Sequence, residues 1–243
     1  MNFFIFIRSL LATILFVILT MLFSILGFFG NIIINKKKFD DWVISTWAHW
    51  ACVIHGVEVK VVGQEKIPNK GCLFLFNHSS FFDVFALAAT FTDIRFGAKS
   101  ELFRIPLFGI AMRRAGTLPI ARNNREEVFK IYKDAEVRFA AGERFALSPE
   151  GGRFYGSDLA SFKSGPFIFA MSAQVPLVPV IIKGAYECLP KGAFIANLGQ
   201  WKRQIQIEVL DPIETSGYQL QQRHDLQKLT YEKMNQAWKQ PVH

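Results

Sequence analysis

The longest apolar stretch of the chain lies near its amino terminus. Residues 10–34 form a run of 25 positions without a charged side chain. As a helix, this run would be about 37 Å long, which is enough to cross a hydrocarbon core of about 30 Å. The pattern predicts a membrane helix, or a re-entrant hairpin if Gly27, Gly30 and Asn31 bend it. A buried core helix is the alternative, and it fits less well because a helix that is apolar on every face needs lipid or a very large core.

The rest of the chain alternates between strand-like and helix-like patterns. Short apolar or alternating runs predict strands at 57–62, 71–76, 94–98, 116–121, 144–147, 177–182 and 202–210. Segments between them predict helices at 82–92, 125–141, 163–173 and 218–238, with a mixed helical region at 102–115. This alternation indicates an α/β fold with a single mixed, largely buried β-sheet flanked by helices.

These patterns divide the chain into two parts. Residues 1–55 are predicted to form a membrane-anchoring helical segment, and residues 56–243 an α/β domain. Within the domain, the segment VPLVPVII contains two prolines. Because proline cannot donate a hydrogen bond to a sheet, this segment predicts a strand entry or a strand at the sheet edge.

The distribution of charge supports a location at a membrane surface. The chain has 28 Lys and Arg against 20 Asp and Glu, a formal net charge of +8. Residues 1–38 carry four positive charges and no negative one, and three of these are the lysines 36–38 after the apolar run. This bias predicts an anchor in the inner membrane, a catalytic domain on the cytoplasmic side, and contact with anionic lipids. Trp42, Trp47 and Trp50 fit either the membrane interface or a helix core.

The cysteine pattern does not indicate a disulfide framework or a metal site. Cys52, Cys72 and Cys188 are far apart in the sequence, and no CxxC motif is present. The chain is therefore expected to work in a reducing compartment.

The most informative motif is NHSSFFD, in which an apolar strand ends at His78 and a helix begins a few residues later. An imidazole is well suited to accept a proton near neutral pH, and a carboxylate such as Asp83 can fix its tautomer. Since neither a GxSxG nucleophile motif nor a second histidine at metal spacing is present, the proton would come from a bound substrate. The alternative is structural: Ser80 caps the helix, Asp83 completes the capping box, and His78 is an ordinary loop residue.

Two further segments contain candidate binding residues. In SPEGGRF, Gly151 allows a sharp turn, Arg153 offers a multi-donor cation for phosphate, and Glu150 could orient Arg153 or an acceptor. An ordinary turn with a surface ion pair is the alternative. In GTLPIARNN, Arg122 follows a predicted strand, and a solvated arginine is the alternative there.

Taken together and in order, these segments resemble the PlsC-like glycerolipid acyltransferases, above all the 1-acylglycerol-3-phosphate (lysophosphatidate) acyltransferases. The boxes of that family are Asn-His-x4-Asp, Gly-x-x-hydrophobic-Ile-x-Arg, Pro-Glu-Gly-x-Arg and Val-Pro-hydrophobic-Val-Pro. They are matched here by NHSSFFD, GTLPIAR, PEGGR and VPLVP. KSELFRIPLFG is similar to the segment that usually separates the first two boxes. The resemblance covers residues 57–183 and the apolar amino terminus.

The resemblance implies that His78 is the general base and Asp83 its orienting partner. The implied reaction transfers a fatty acyl group from acyl-CoA or acyl carrier protein to the free sn-2 hydroxyl of lysophosphatidic acid, giving phosphatidic acid. His78 would remove the hydroxyl proton, the alkoxide would attack the thioester, and the tetrahedral intermediate would expel the thiol. The acyl donor is a co-substrate, and neither a covalent acyl-enzyme, a metal nor another cofactor is expected.

The resemblance also implies a set of substrate-binding residues. Arg122 would bind the phosphate of the acceptor, and Glu150, Gly151 and Arg153 would bind or position the acceptor. The chain departs from the family pattern at Ala121, Ser148 and Gly152, where Asp, Phe and Thr are common. These departures bear on which headgroup is bound and leave the acyl-transfer chemistry unchanged.

The implied partners are a lysophospholipid acceptor, acyl-CoA or acyl carrier protein, and anionic membrane lipids. Because these partners are anionic, they account for the basic charge, and no nucleic-acid partner is expected. Three alternatives stay open. The acceptor could be another lysolipid, such as a lyso-ornithine lipid or another lysophospholipid; water could replace the acceptor, which would make the protein a hydrolase; or the protein could be a non-catalytic membrane-binding module.

Overall fold

The computed structural model describes residues 3–30, 36–121, 125–197 and 199–241. Over these residues the chain forms α1 (Phe3–Phe29), α2 (Lys36–Ile54), β1 (Val57–Val62), β2 (Leu73–Phe76), α3 (Phe81–Thr90), β3 (Ile94–Lys99), α4 (Phe108–Arg114), β4 (Leu118–Ile120), α5 (Arg125–Ala140), β5 (Arg144–Leu147), α6 (Gly165–Ser172), β6 (Leu177–Lys183), α7 (Ala185–Cys188), β7 (Arg203–Val209) and α8 (Arg223–Lys239). Short 3-10 turns lie at Gln64–Lys66, Ser100–Arg104 and Leu220–Gln222.

The strands form one seven-stranded mixed sheet in the order β1-β7-β6-β2-β5-β3-β4. Every neighbouring pair is parallel except β6 and β7, which are antiparallel. Strands β1 and β7 therefore run opposite to the other five. The predicted α/β fold with a single mixed sheet is confirmed.

A hydrophobic core covers each face of the sheet. In β2, Phe74 and Phe76 point to the core that includes α2 and α3, whereas Leu73 and Leu75 point to the core that includes α5, α6 and α8. All four side chains are buried. Burying one such side chain contributes about 1.5–3 kcal/mol to stability. A strand that is buried on both faces explains why its sequence is a continuous apolar run.

The proline-rich strand β6 is an interior strand that begins directly after Pro176, so of the two predicted alternatives the strand entry is confirmed for Pro176 and the sheet edge was wrong. It pairs with β2 on one side and with β7 on the other. The carbonyl of Pro179 accepts a hydrogen bond from the Leu210 amide at 2.9 Å. The regular pairing with β7 begins only at the next residue, Val180. Because the missing N–H of Pro179 lies at the end of this ladder, the interior strand loses only a terminal hydrogen bond.

Helix α1 is long and apolar enough to cross a membrane, as judged by its length and composition. It continues without interruption through Gly27. A bend at Gly27 is therefore absent, the helix ends at Phe29 directly before Gly30, and Asn31 lies outside the described residues. One face of α1 packs on the domain through buried small residues, and these are Ser9, Ala12, Ser24 and Gly27. The opposite face exposes large aliphatic side chains, among them Leu11, Ile14, Leu15, Ile18, Met21 and Leu22.

Helix α2 joins α1 to the sheet domain. The Trp47 indole N–H donates to Thr20 Oγ1 at 3.0 Å, and its ring stacks on Phe16 with 5.8 Å between centroids. Trp42 and Trp50 are exposed. The three tryptophans of this segment are therefore divided between the α1–α2 contact and the surface.

Candidate active site

The candidate site lies where two neighbouring parallel strands end. His78 follows β2 by two residues, and Glu150 follows β5 by three. Because β2 and β5 are parallel neighbours, their carboxyl ends reach the same edge of the sheet, where α/β proteins usually bind ligands. The main chain before His78 is fixed by Asn77, whose side-chain amide donates to the Ile182 carbonyl at 2.9 Å and accepts from the Ile182 amide at 2.7 Å.

His78 and Asp83 form a hydrogen-bonded pair. His78 Nδ1 lies 2.9 Å from Asp83 Oδ2. The Asp83 side chain is completely buried, whereas the imidazole is 15% exposed. A buried carboxylate at this distance favours the tautomer that carries its proton on Nδ1. The lone pair of Nε2 is then available to accept a proton from a substrate hydroxyl.

Asp83 also caps helix α3, so the structural interpretation of the motif is confirmed, and the cap is compatible with the catalytic role, which stays a prediction. Asp83 Oδ2 accepts hydrogen bonds from the main-chain amides of Ser79, at 2.7 Å, and Ser80, at 2.8 Å. The Ser80 hydroxyl accepts from the Phe82 amide at 3.2 Å and donates to the Leu189 carbonyl at 2.9 Å. The capping box therefore orients the same carboxylate oxygen that faces His78.

Glu150 holds the main chain of the site from the neighbouring strand. Its Oε2 accepts from the His78 amide at 2.8 Å, and its Oε1 accepts from the Ala160 amide at 3.2 Å. Burial raises the pKa of Glu150 to about 7, and the charge of Asp83 adds to this rise, while the two amide donors oppose it. Both carboxylate oxygens of Glu150 therefore accept hydrogen bonds from main-chain amides, one of His78 and one of the loop that follows β5. The sequence suggested instead that Glu150 orients Arg153 or the acceptor.

The PEGGR loop folds over the dyad. The Phe154 amide donates to the His78 carbonyl at 2.7 Å. Gly151 has a φ of +72°, a left-handed conformation that favours glycine. The guanidinium of Arg153 lies over the ring of Phe81, with its central carbon 4.3 Å from the ring centroid. Within the part of the chain that the structure describes, Arg153 has no carboxylate partner, so its charge is available to an anion.

The structure thus brings together five of the six predicted site residues: His78, Asp83, Glu150, Gly151 and Arg153. The sixth, Arg122, lies outside the described residues, and its phosphate contact stays a prediction. Asn77 and its hydrogen bonds to β6 were not predicted. The only signal for this role was its position between a buried strand and the histidine.

The comparisons with known proteins agree with this fold and show the family of the chain. Residues 58–183 match the family model described as Acyltransferase. A 1-acyl-sn-glycerol-3-phosphate acyltransferase of Haemophilus influenzae is 26% identical over 223 residues, which cover 90% of each chain. The Saccharomyces cerevisiae protein of that name is 26% identical over an alignment 224 positions long, which covers 79% of this chain and 74% of that protein. A chloroplastic relative from Brassica napus is 28% identical over 160 residues, or 65% of this chain, and the chain spans only 46% of that longer protein.

A solved structure has a similar fold. The 1-acyl-sn-glycerophosphate (LPA) acyltransferase PlsC of Thermotoga maritima superposes with a TM-score of 0.78 at 22% identity, covering 98% of this chain and 100% of that one. The shared fold is an α/β fold with one mixed sheet, and in this chain the hydrogen-bonded His78–Asp83 pair lies at the carboxyl edge of that sheet. Since the family match extends over more than half of its length, this chain belongs to the Acyltransferase family.

Proposed function

We propose that the protein transfers a fatty acyl group from an acyl thioester to the sn-2 hydroxyl of 1-acylglycerol 3-phosphate, and so makes phosphatidic acid for phospholipid synthesis. The donor is acyl-CoA or acyl carrier protein. The observation that carries the proposal is the 2.9 Å contact between His78 Nδ1 and the buried Asp83 carboxylate. The names of the relatives from Haemophilus influenzae and Saccharomyces cerevisiae support the choice of acceptor.

The His78 imidazole takes the proton from the acceptor hydroxyl as the oxygen attacks the thioester carbonyl. Asp83 stabilises the imidazolium that forms. When the tetrahedral intermediate collapses, the carbon–sulfur bond breaks, and the leaving sulfur takes the proton from the imidazolium and departs as the free thiol. A positioned base of this kind contributes about 10²- to 10⁴-fold to the rate. Holding the hydroxyl and the thioester in line contributes several kcal/mol more, up to roughly 7–11 kcal/mol in ideal cases.

Arginine side chains supply positive charge for the acceptor phosphate. Arg153 fits this role because it is stacked on Phe81, three residues after His78 in the chain, and its guanidinium keeps its donors for a ligand. Arg122 is the second candidate, on the strength of the family resemblance.

The apolar face of α1 supports a location of this chemistry at the bilayer. A helix that packs on the domain along one face and exposes large aliphatic side chains on the other is suited to contact lipid with its outer face. We therefore propose an anchor in the inner membrane and a catalytic domain on the cytoplasmic side. In this arrangement the lysolipid keeps its acyl chain in the membrane, which avoids a cost of about 0.8 kcal/mol for each CH₂ transferred to water.

A second candidate function is acylation of a different lysolipid, such as a lyso-ornithine lipid. One specific observation favours it. Ser148 stands where the family commonly has Phe, and its hydroxyl is buried without a hydrogen-bond partner among the described residues. This position directly precedes Pro149 and Glu150, so a changed side chain here alters the surroundings of the PEGGR loop.

A direct assay tests the proposal. The purified protein in lipid nanodiscs is incubated with a panel of lysolipids and with both donor types, and the products are identified by mass spectrometry. Phosphatidic acid formed only when lysophosphatidic acid and a donor are both present supports the proposed reaction. A different acylated lipid supports the second candidate. Free fatty acid released without any lysolipid would indicate a hydrolase and refute both.

A further inference from the structure

The segment that follows β3 exposes several large apolar side chains. We call residues 104–113 the β3–α4 segment. Ile105, Leu107 and Ile110 are 47%, 42% and 42% exposed, and they lie within six residues of one another. A cluster of exposed aliphatic side chains on an ordered segment is typical of an interaction surface.

Backbone hydrogen bonds and a close backbone approach keep these side chains at the protein surface. The Gly109 amide donates to the Ile105 carbonyl at 2.8 Å, and the Phe108 amide donates to the Pro106 carbonyl at 2.6 Å. The backbone of Gly109 approaches Phe103 so closely that an added Cβ would lie 2.2 Å from its carbonyl oxygen. Leu107 has a φ of +61°, a strained conformation for a residue with a side chain. Strain of this kind is concentrated at functional sites.

Positive charges flank the aliphatic cluster. Arg104 and Arg113 are exposed, and the guanidinium of Arg113 lies 5.0 Å from the centroid of the Phe103 ring. Neither arginine has a carboxylate partner within the described ranges of the chain. Since Ile110 and Arg113 are three residues apart in α4, they share one face of the helix. Apolar side chains with basic neighbours fit the boundary between acyl chains and anionic headgroups.

This surface adjoins α1. Helix α4 packs on the carboxyl end of α1, where the Arg114 guanidinium donates to the Phe28 carbonyl and lies 4.4 Å from the centroid of the Phe28 ring. The exposed Ile25 and Phe29 lie at the same end of α1. The exposed apolar side chains of α1 therefore lie next to those of the β3–α4 segment, which belongs to the sheet domain.

We propose that the β3–α4 segment is a second membrane-contact site, which inserts Ile105, Leu107 and Ile110 into an anionic leaflet with Arg104 and Arg113 at its headgroups. The inference rests on the proposed function, in which α1 is the first lipid contact. The segment follows the carboxyl end of β3, at the sheet edge where His78 follows β2. Two lipid contacts, one through α1 and one through the β3–α4 segment, hold the carboxyl edge of the sheet against the bilayer.

Site-directed spin labelling tests the second contact. Surface labelling is selective because the three native cysteines are buried, and burial raises the pKa of each of their thiols to about 12. Nitroxides are placed by Ile105→Cys and Ile110→Cys, by Ile18→Cys on the outer face of α1, and by Val137→Cys on α5 as a matched control that is 74% exposed. The labels are examined on vesicles of phosphatidylethanolamine and phosphatidylglycerol.

The labels at 105 and 110 should be accessible to oxygen, which concentrates in the bilayer, and protected from a water-soluble nickel chelate. The label at 137 should show the opposite pattern. Labels at 105 and 110 that behave like the label at 137 would overturn the second contact. The label at 18 alone decides whether α1 meets lipid, so failure of the second contact and failure of the α1 anchor are distinguishable.

A charge variant provides an independent measurement. Arg104→Gln combined with Arg113→Gln should weaken binding to phosphatidylglycerol-containing vesicles about fivefold for each arginine, and leave binding to pure phosphatidylcholine vesicles unchanged. Lys130→Gln with Lys133→Gln removes the same charge from the exposed surface of α5 and should have little effect. Equal losses in the two double variants would contradict a headgroup contact at the β3–α4 segment.

Discussion

The substitution Asp83→Asn separates the charge of the carboxylate from its shape. The amides of Ser79 and Ser80 both donate to Asp83 Oδ2. An asparagine must therefore place its amide oxygen at this position, where it also accepts from His78 Nδ1. The amide nitrogen then occupies the position of Oδ1, which is 3.5 Å from the Ser79 hydroxyl. The cap and the histidine tautomer are retained, and only the negative charge is lost.

The magnitude follows from the distance between the charges. An imidazolium and a carboxylate about 4 Å apart attract each other by about 4 kcal/mol at an effective dielectric constant of 20. Because this attraction exists only when His78 is protonated in the transition state, its loss should appear in kcat, as a decrease of roughly 10²- to 10³-fold. The KM for the acceptor and the melting temperature should change little.

Steady-state kinetics and thermal unfolding measure these effects side by side. Ser80→Ala is the matched control, since it removes a capping hydroxyl, at a cost of about 1 kcal/mol in stability, and leaves the contact between Asp83 and His78 in place. Asp83→Ala should lose both activity and stability. If Asp83→Asn kept the kcat of the unaltered protein, or if Ser80→Ala lost as much activity, the assignment of Asp83 as the partner of the base would be refuted.

Three further predictions concern other parts of the protein. Arg122→Ala should raise the KM for the acceptor more than the KM for the donor, and unchanged acceptor kinetics would remove Arg122 from the phosphate site. Burial raises the pKa of Glu150 from 4.5 to about 7, so the folded protein keeps a proton that the unfolded chain releases between these values. The free energy of unfolding should therefore fall by up to about 3 kcal/mol as the pH rises from 4.5 to 7, and this fall should be absent in Glu150→Gln. Denaturant titrations in which both proteins show the fall would contradict the raised pKa of Glu150. Phe145→Ala, which opens a cavity in the core around α5 and α6, should lower stability by about 3–5 kcal/mol in the same titrations, and a loss below 1 kcal/mol would contradict a packed core there.

Local sequence patterns were sufficient for the fold class and for the dyad. Strands such as β2 are buried on both faces, so their composition alone marks them as apolar runs. His78 and Asp83 are five residues apart across a bend and a helix start, so their contact follows from local geometry. The capping box could be predicted from the same seven residues.

Contacts that depend on the order of the strands could not be predicted. Glu150 reaches the His78 amide from 72 residues away only because β5 lies beside β2 in the sheet. Asn77 binds Ile182 because β6 is the other neighbour of β2. The interior position of β6 was missed for the same reason. The sequence shows that Pro179 has no N–H to donate, but it does not show that the hydrogen-bonded pairing of β6 with β7 ends at this residue.

The turnover of a His78→Ala variant tests the central claim most directly. The variant is compared with the unaltered protein and with His224→Ala, in which an exposed histidine of α8 is removed as a control. A lysolipid and an acyl thioester are supplied at saturating concentrations, and vesicle binding and melting temperature are recorded for each protein. We expect the kcat of His78→Ala to fall at least about a hundredfold while folding and membrane binding are unchanged. A His78→Ala protein that turns over substrate at nearly the unaltered rate would contradict the role of this imidazole as the base.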